Sequence, residues 1–284
     1  MYLVLLTAAV VGGATVLGAV LGLVFNRVTE KTANNVLAFA AGIMLAASVL
    51  GLIMPSVESG MLLAYPITVA GIFSGAFLIF FLDKIMDHAV KNKDLSETQG
   101  ANGKNGRKII LFVLAIAIHN FPEGLAAGVG FGAGNISDAL LIAGGIALQN
   151  IPEGMVIIAP MIESGISRRR AFIYAALTGV IEIVGTLLGY MFISLSASLL
   201  PFVLSFAGGT MLYVISDDII PATHQEGTER LATFSLLLGF CLMLATDHYL
   251  SLCIYKEFYS NDQALFSLFI KIPPYMTGGF QFRA

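Results

Sequence analysis

Charge is what this sequence has least of. Only 12% of its 284 residues are Asp, Glu, Lys or Arg, against about a quarter in an ordinary soluble domain. Tryptophan is absent, and the two cysteines, Cys241 and Cys253, form neither a CxxC pair nor a zinc-finger spacing. That excludes a dithiol redox centre and a thiolate-held structural zinc. Cys241 falls in an apolar stretch and reads as an inert thiol. The four histidines form no His-rich tract, and His88 stands alone in a polar stretch. The net charge of −3, with basic residues scattered between apolar runs, leaves no electrostatic footprint for nucleic acid. No motif calls for an organic cofactor.

What is present is 57% hydrophobic and arranged in long runs. A membrane-spanning helix needs about 20 predominantly apolar residues. Eight such stretches are predicted, roughly 2–25, 33–55, 62–83, 108–130, 137–161, 171–194, 200–222 and 231–250. The expected class is therefore an all-α membrane protein with eight transmembrane helices in one transport domain over 1–250. The chain is apolar from Met1, with neither a basic leader nor a clear cleavage site, as a retained first span would be. The one sizeable polar insert, 87–107, is rich in Lys, Asn, Gly and Ser, as a flexible loop would be. The tail 251–284 has a short apolar run at 264–270 and then Pro273-Pro274, and no role follows from it.

Positive charge sets the orientation. Arg27 and Lys31, the cluster from Lys84 to Lys108, Arg168–Arg170 and Arg230 follow spans one, three, five and seven. Twelve of the fifteen basic residues thus fall on one side, and the loops after spans two, four and six carry none. That side is cytoplasmic by the positive-inside rule, which leaves both termini outside and loop 87–107 inside.

Inside the apolar runs, nearly the same hexapeptide appears twice. His119-Asn120-Phe121-Pro122-Glu123-Gly124 lies in span four and Gln149-Asn150-Ile151-Pro152-Glu153-Gly154 in span five. Residues at i and i+4 share a helix face, so His119 faces the same way as Glu123, and Gln149 the same way as Glu153. Asn120 and Asn150 border the same turn. Each proline lacks the N–H that would bond to Ile118 or Leu148, so both helices are expected to kink there and to offer free carbonyls at membrane depth. Ionisable residues at that depth are costly and usually functional. A third intramembrane acid, Glu182, sits in span six. Imidazole, carboxylate and amide ligands together suit a divalent transition metal that must be selected and then released: zinc first, with iron, manganese and cadmium within range.

Other polar residues carry weaker signals. Asp217-Asp218, near the cytoplasmic end of span seven, could form an exit site or simply a solvated helix end. His224 lies just beyond Pro221. Asp247-His248 closes span eight outside, as either an entrance for cations or an ordinary interfacial pair. Met44 could lend a thioether or merely pack. Glycine pairs at four-residue spacing, Gly18/Gly22, Gly71/Gly75 and Gly124/Gly128, suit close helix packing inside the bundle.

The paired HNFPEG and QNIPEG motifs, within eight spans and with a Glu in span six, resemble the ZIP (Zrt-/Irt-like protein) metal transporters. The QN form of the second motif is similar to the GufA-like branch. The resemblance covers about residues 1–250. It implies a 3+2+3 arrangement in which spans 1–3 and 6–8 are related by inverted pseudosymmetry, with a two-metal centre between spans four and five. One metal position would be lined by His119, Glu123, Gln149 and Glu153. The other would use Asn120, Glu123, Asn150, Glu153 and Glu182, with Glu123 and Glu153 bridging. The resemblance also implies uptake toward the cytoplasm, homodimers, a plasma (inner) membrane setting, and metal-facing roles for Met44 and Asp247. Asn150 stands where some bacterial relatives carry Asp, one charge fewer. Asp217-Asp218 stands where some carry a His-Glu-like pair.

A membrane-embedded zinc metalloenzyme with Glu-bound metal activating water is the rival from another class, although a hydrolase would want more histidines and an oxyanion donor. A divalent-cation channel with a carboxylate ring is the third reading. Protons and metal ions compete for the same carboxylates, so arriving metal should displace protons. Zinc uptake measured in proteoliposomes should accordingly change between pH 5.5 and 8, and a flat profile would rule out that coupling.

Overall fold

The computed structural model describes residues 1–25, 29–91, 117–131, 136–163, 165–195, 197–224, 227 and 229–260. All secondary structure among them is helical. The principal helices are α1 (Tyr2–Val24), α2 (Lys31–Val57), α3 (Ala64–Lys91) and α4 (117–131), then α5 (Ile136–Val156), α6 (Arg168–Leu195), α7 (Leu200–Thr223) and α8 (Glu229–Ser260). Seven of these are long and apolar enough to cross a membrane. The eighth, α4, is described over 117–131, while the start of its predicted span, 108–116, lies outside the described residues. Most of loop 87–107 also lies outside them, as does the tail beyond Ser260. Helix α3 runs to Lys91 and α8 to Ser260, both past the predicted span ends, since neither sequence has a breaker there.

Local chemistry explains where these helices start, stop and distort. Thr29 caps α2 by accepting the Thr32 amide at 3.3 Å. A second short helix, Ile158–Glu163, continues α5 after an interruption at Ile157. It ends on Gly165, which has φ of 88°. There the Gly165 amide bonds to Ile162 and the Ile166 amide to Met161, which is the Schellman pattern that favours a residue without Cβ.

Pro122 and Pro152 lie within α4 and α5, and the helix runs on across both. The marked departures from α-geometry are π-turns at Ala47–Ile53 in α2 and Ile215–Ile219 in α7. Each is followed at once by a short α-turn with proline second, Pro55 in Met54–Val57 and Pro221 in Ile220–Thr223. A proline ring pushes against the carbonyl four residues back and offers it no N–H, and a shift to i→i+5 bonding relieves both problems.

Helices pair as α1 with α5, α1 with α6, α2 with α8 and α3 with α7, and α2 also reaches α5. Glycines allow the closest approaches. A Cβ on Gly18 would lie 2.2 Å from the Ile151 carbonyl oxygen, and one on Gly154 would lie 2.3 Å from that of Thr15, which closes α1 on α5. Gly124 and Gly128 bring α4 equally close to Glu182 and Thr186 of α6, Gly75 brings α3 to Phe206 of α7, and Gly42 brings α2 to Leu236 of α8. The four-residue glycine spacing therefore serves internal packing, as expected. Outward faces carry large apolar side chains such as Leu6, Leu17, Phe73, Phe77, Leu177 and Phe234, which suit a lipid environment.

Backbone touching backbone cannot yield as a side chain can. Gly154→Val should therefore separate α1 from α5 and cost several kcal/mol, read as a fall in melting temperature of the detergent-purified protein. Gly144→Ala, with open space around its would-be Cβ, should melt like the wild type.

Candidate metal centre

Three helices bring the predicted polar residues to one place. Helix α4 contributes Asn120 and Glu123, α5 contributes Gln149, Asn150 and Glu153, and α6 contributes Glu182. Asn120, Glu123, Gln149, Asn150 and Glu182 are each 2% exposed or less, and Glu153 is half-buried. Helix periodicity puts each set on one inward face, and the glycine seams press those faces together. The Glu123 carboxylate lies close enough to feel the charges of both Glu153 and Glu182. Among the described residues, no lysine or arginine forms a salt bridge with any of the three.

The hydrogen bonding of the three acids differs. Glu182 is well supplied: Oε1 accepts from the Thr15 hydroxyl at 2.6 Å and from the Asn120 amide, and Oε2 accepts from the Asn150 amide at 2.5 Å. The Asn150 amide also reaches the Val11 carbonyl of α1 at 3.3 Å. Glu123 has no such supply. Both its oxygens are buried without a hydrogen-bond partner, as are Glu153 Oε1, Asn150 Oδ1, and Gln149 Oε1 and Nε2. The Gln149 side chain approaches Glu123 but stops short of hydrogen-bond geometry. An unpaired buried acceptor is costly, and such atoms gathered on facing helices ask for a cation.

His119 is placed differently from the expectation. Its Nε2 lies 3.2 Å from Asp218 Oδ2 on α7, so the imidazole faces a carboxylate on that helix. Asp218 in turn belongs to a group with Asp217 and Asp83 whose carboxylate oxygens lie within 4.8 Å of one another. The Tyr213 hydroxyl donates to Asp217 Oδ2 at 3.0 Å. Asp83 of α3 was not legible as part of a site, because an acid beside Lys84 at a span end reads as an interfacial flank. Thr15 was likewise missed: a single hydroxyl in an apolar span carries no signal until its partner is known.

Met44 is 1% exposed in an apolar cluster that also holds Leu125 of α4 and Ile146 of α5. His224 hydrogen-bonds to Thr233 and sits over the Ile220 carbonyl, tying the end of α7 to α8. Asp247 is half-buried on α8, and the neighbouring His248 ring stands edge-on to Tyr249.

The sequence profile of the family described as ZIP zinc transporter matches residues 96–247. The chain is 39% identical over 251 residues to "Zinc transporter GufA" of Myxococcus xanthus, covering 86% of this chain and 97% of that one. It belongs to the ZIP family. It is also 34% identical to "Zinc transporter ZIPB" of Bordetella bronchiseptica, over 84% of this chain and 80% of the relative. With human "Zinc transporter ZIP11" it shares 30% identity, over 83% of this chain and 93% of that one. Both PEG motifs and Glu182 belong to this ZIP chain's buried centre.

The contact between His119 and Asp218 makes the two side chains act as a pair. In a double-mutant cycle of His119→Ala and Asp218→Ala, their effects on cadmium affinity should be non-additive by about 0.5 kcal/mol or more. Strict additivity in isothermal titration would show that the two act independently.

Proposed function

We propose that this chain carries divalent transition metal ions, zinc foremost, across the membrane into the cytoplasm. As a ZIP protein it is a membrane transporter rather than an enzyme. The observation that carries the reading is the set of buried, unpartnered oxygens on Glu123, Glu153, Gln149 and Asn150, gathered between α4 and α5. Carboxylate and amide oxygens form a mixed site that can bind zinc and release it, and that iron, manganese and cadmium can also enter. Zinc is the substrate named in the relatives GufA, ZIPB and ZIP11.

The route follows from the charge pattern. With loop 87–107 inside, α4 starts at the cytoplasmic face, so His119 lies one turn nearer the cytoplasm than Glu123. Asp218, Asp217 and Asp83 continue acidic ligands in that direction. An ion released by Glu123 meets the His119–Asp218 pair and then this acidic cluster. The helix pairs support the inverted 3+2+3 reading. Under an exchange of spans 1–3 with 6–8, α3 on α7 becomes α8 on α2, and α1 on α5 becomes α6 on α4; all four pairs are in close contact. The two π-turns followed by prolines, in α2 and α7, exchange in the same way. A homodimer in the plasma (inner) membrane is the assembly and setting we assign to it.

Zinc uptake into proteoliposomes tests the centre. Glu123→Ala should abolish saturable flux, and flux equal to wild type would reject the site. Glu153→Gln should reduce flux more than Glu182→Gln, because Glu153 has a buried oxygen without a donor whereas both Glu182 oxygens already hold donors.

A further inference from the structure

We propose that Asn150 sets how firmly this chain holds its metal, because its amide stands in for a cation beside Glu182 whenever the ion has left. The inference rests on the metal-transport reading and adds to it a residue that favours release over tight binding. Glu182 keeps the ligand role that the family resemblance implies. The amide exchanges its donor edge for its acceptor edge as an ion comes and goes.

The hydrogen bonds carry it. The Asn150 amide nitrogen has two hydrogens and meets two acceptors, Glu182 Oε2 at 2.5 Å and the Val11 carbonyl of α1 at 3.3 Å. The Thr15 hydroxyl and the Asn120 amide reach Glu182 Oε1. The chain itself therefore supplies donors to both oxygens of a carboxylate that is 0% exposed. A bare buried carboxylate is costly, and these donors lower that cost. Asn150 Oδ1 has no partner. An amide is planar, with its donor and acceptor on opposite edges. A half-turn about its last side-chain bond thus brings the oxygen to the nitrogen's place, which is what an arriving cation requires. The reverse turn restores both bonds once the ion leaves.

An aspartate at position 150 would lose both N–H groups. It would set a carboxylate oxygen against Glu182 Oε2 and the Val11 carbonyl, three acceptors with no donor between them. Val11 cannot draw back, because α1 is pinned on both sides of it. A Cβ on Gly12 would lie 2.3 Å from the Gly179 carbonyl oxygen of α6, and one on Gly18 would lie 2.2 Å from that of Ile151 of α5. Charge at position 150 therefore favours the metal-bound form, and a neutral amide favours the form that has let go. Ligand charge is a general means of tuning cation affinity. The two asparagines are not equivalent. Asn120 shares Oε1 with the Thr15 hydroxyl, whereas among the described residues Asn150 alone serves Oε2.

The test uses the full chain, with zinc uptake into proteoliposomes and melting of the detergent-purified protein in chelator or in cadmium. Asn150→Asp should lower the half-saturating zinc concentration about tenfold and lower the maximal rate, since release slows. It should melt below the wild type in chelator, and cadmium should raise its melting temperature more than it raises that of the wild type. Asn120→Asp should shift every readout the same way by less, because Thr15 still serves Oε1. Wild-type half-saturation together with wild-type melting in chelator would overturn the proposal, as would a half-saturating concentration that rises. If Asn150→Asp does not fold even with cadmium, Asn120→Asp decides on the same two readouts. Failure of the transport reading itself would look different: Glu123→Ala would take up zinc like the wild type, whatever stands at position 150.

Discussion

Three carboxylates share an interior that supplies no basic partner among the described residues, and the rest of the molecule is arranged around that shortage. One of them, Glu182, is satisfied by hydroxyl and amide donors from three helices. The other two meet across α4 and α5 with oxygens left open. A soluble protein would hydrate such groups. In an apolar bundle, the acids need fixed donors, protons or a passing cation.

Close helix approach makes this division possible. The donors to Glu182 arrive from α1, α4 and α5, and they can reach only because Gly18, Gly124 and Gly154 let main chains touch. Small residues replace hydrophobic driving force inside a membrane, where lipid competes equally for apolar side chains. The glycines that look like generic packing residues are thus a condition for the hydrogen bonds at the site. On the other side of the bundle, α3 with α7 and α2 with α8 use the same device.

Much of the molecule was legible in the residues. Seven of the eight predicted spans appear as helices close to their predicted places, because runs of about 20 apolar residues have few alternatives. The i,i+4 pairing within HNFPEG and QNIPEG placed Glu123, Gln149 and Glu153 toward one centre, since helix periodicity leaves no freedom about faces. Prolines were the least legible. Pro122 and Pro152 lie inside continuing helices, while Pro55 and Pro221 sit beside the π-turns. Whether a π-turn forms beside a proline depends on what packs against that helix, and that is tertiary information. His119 shows the same limit. Its spacing aligned it with Glu123, but the rotamer that meets Asp218 depends on where α7 passes.

The sequence by itself determined the membrane class and the span order, and its loop charge carries the orientation we propose. It also determined that Glu123, Glu153 and Glu182 would be buried with amides beside them. Each of these is a local matter of hydropathy, periodicity or loop charge, which a chain carries without reference to its fold. Only the tertiary structure decided which partners the polar residues meet. Hydrogen bonds have direction and reach only about 3 Å, so the partners of Glu182 had to await the crossing of α1, α4, α5 and α6. The same crossing turned an unremarked Thr15 into the hydroxyl that holds Glu182, and left Glu123 with two open oxygens.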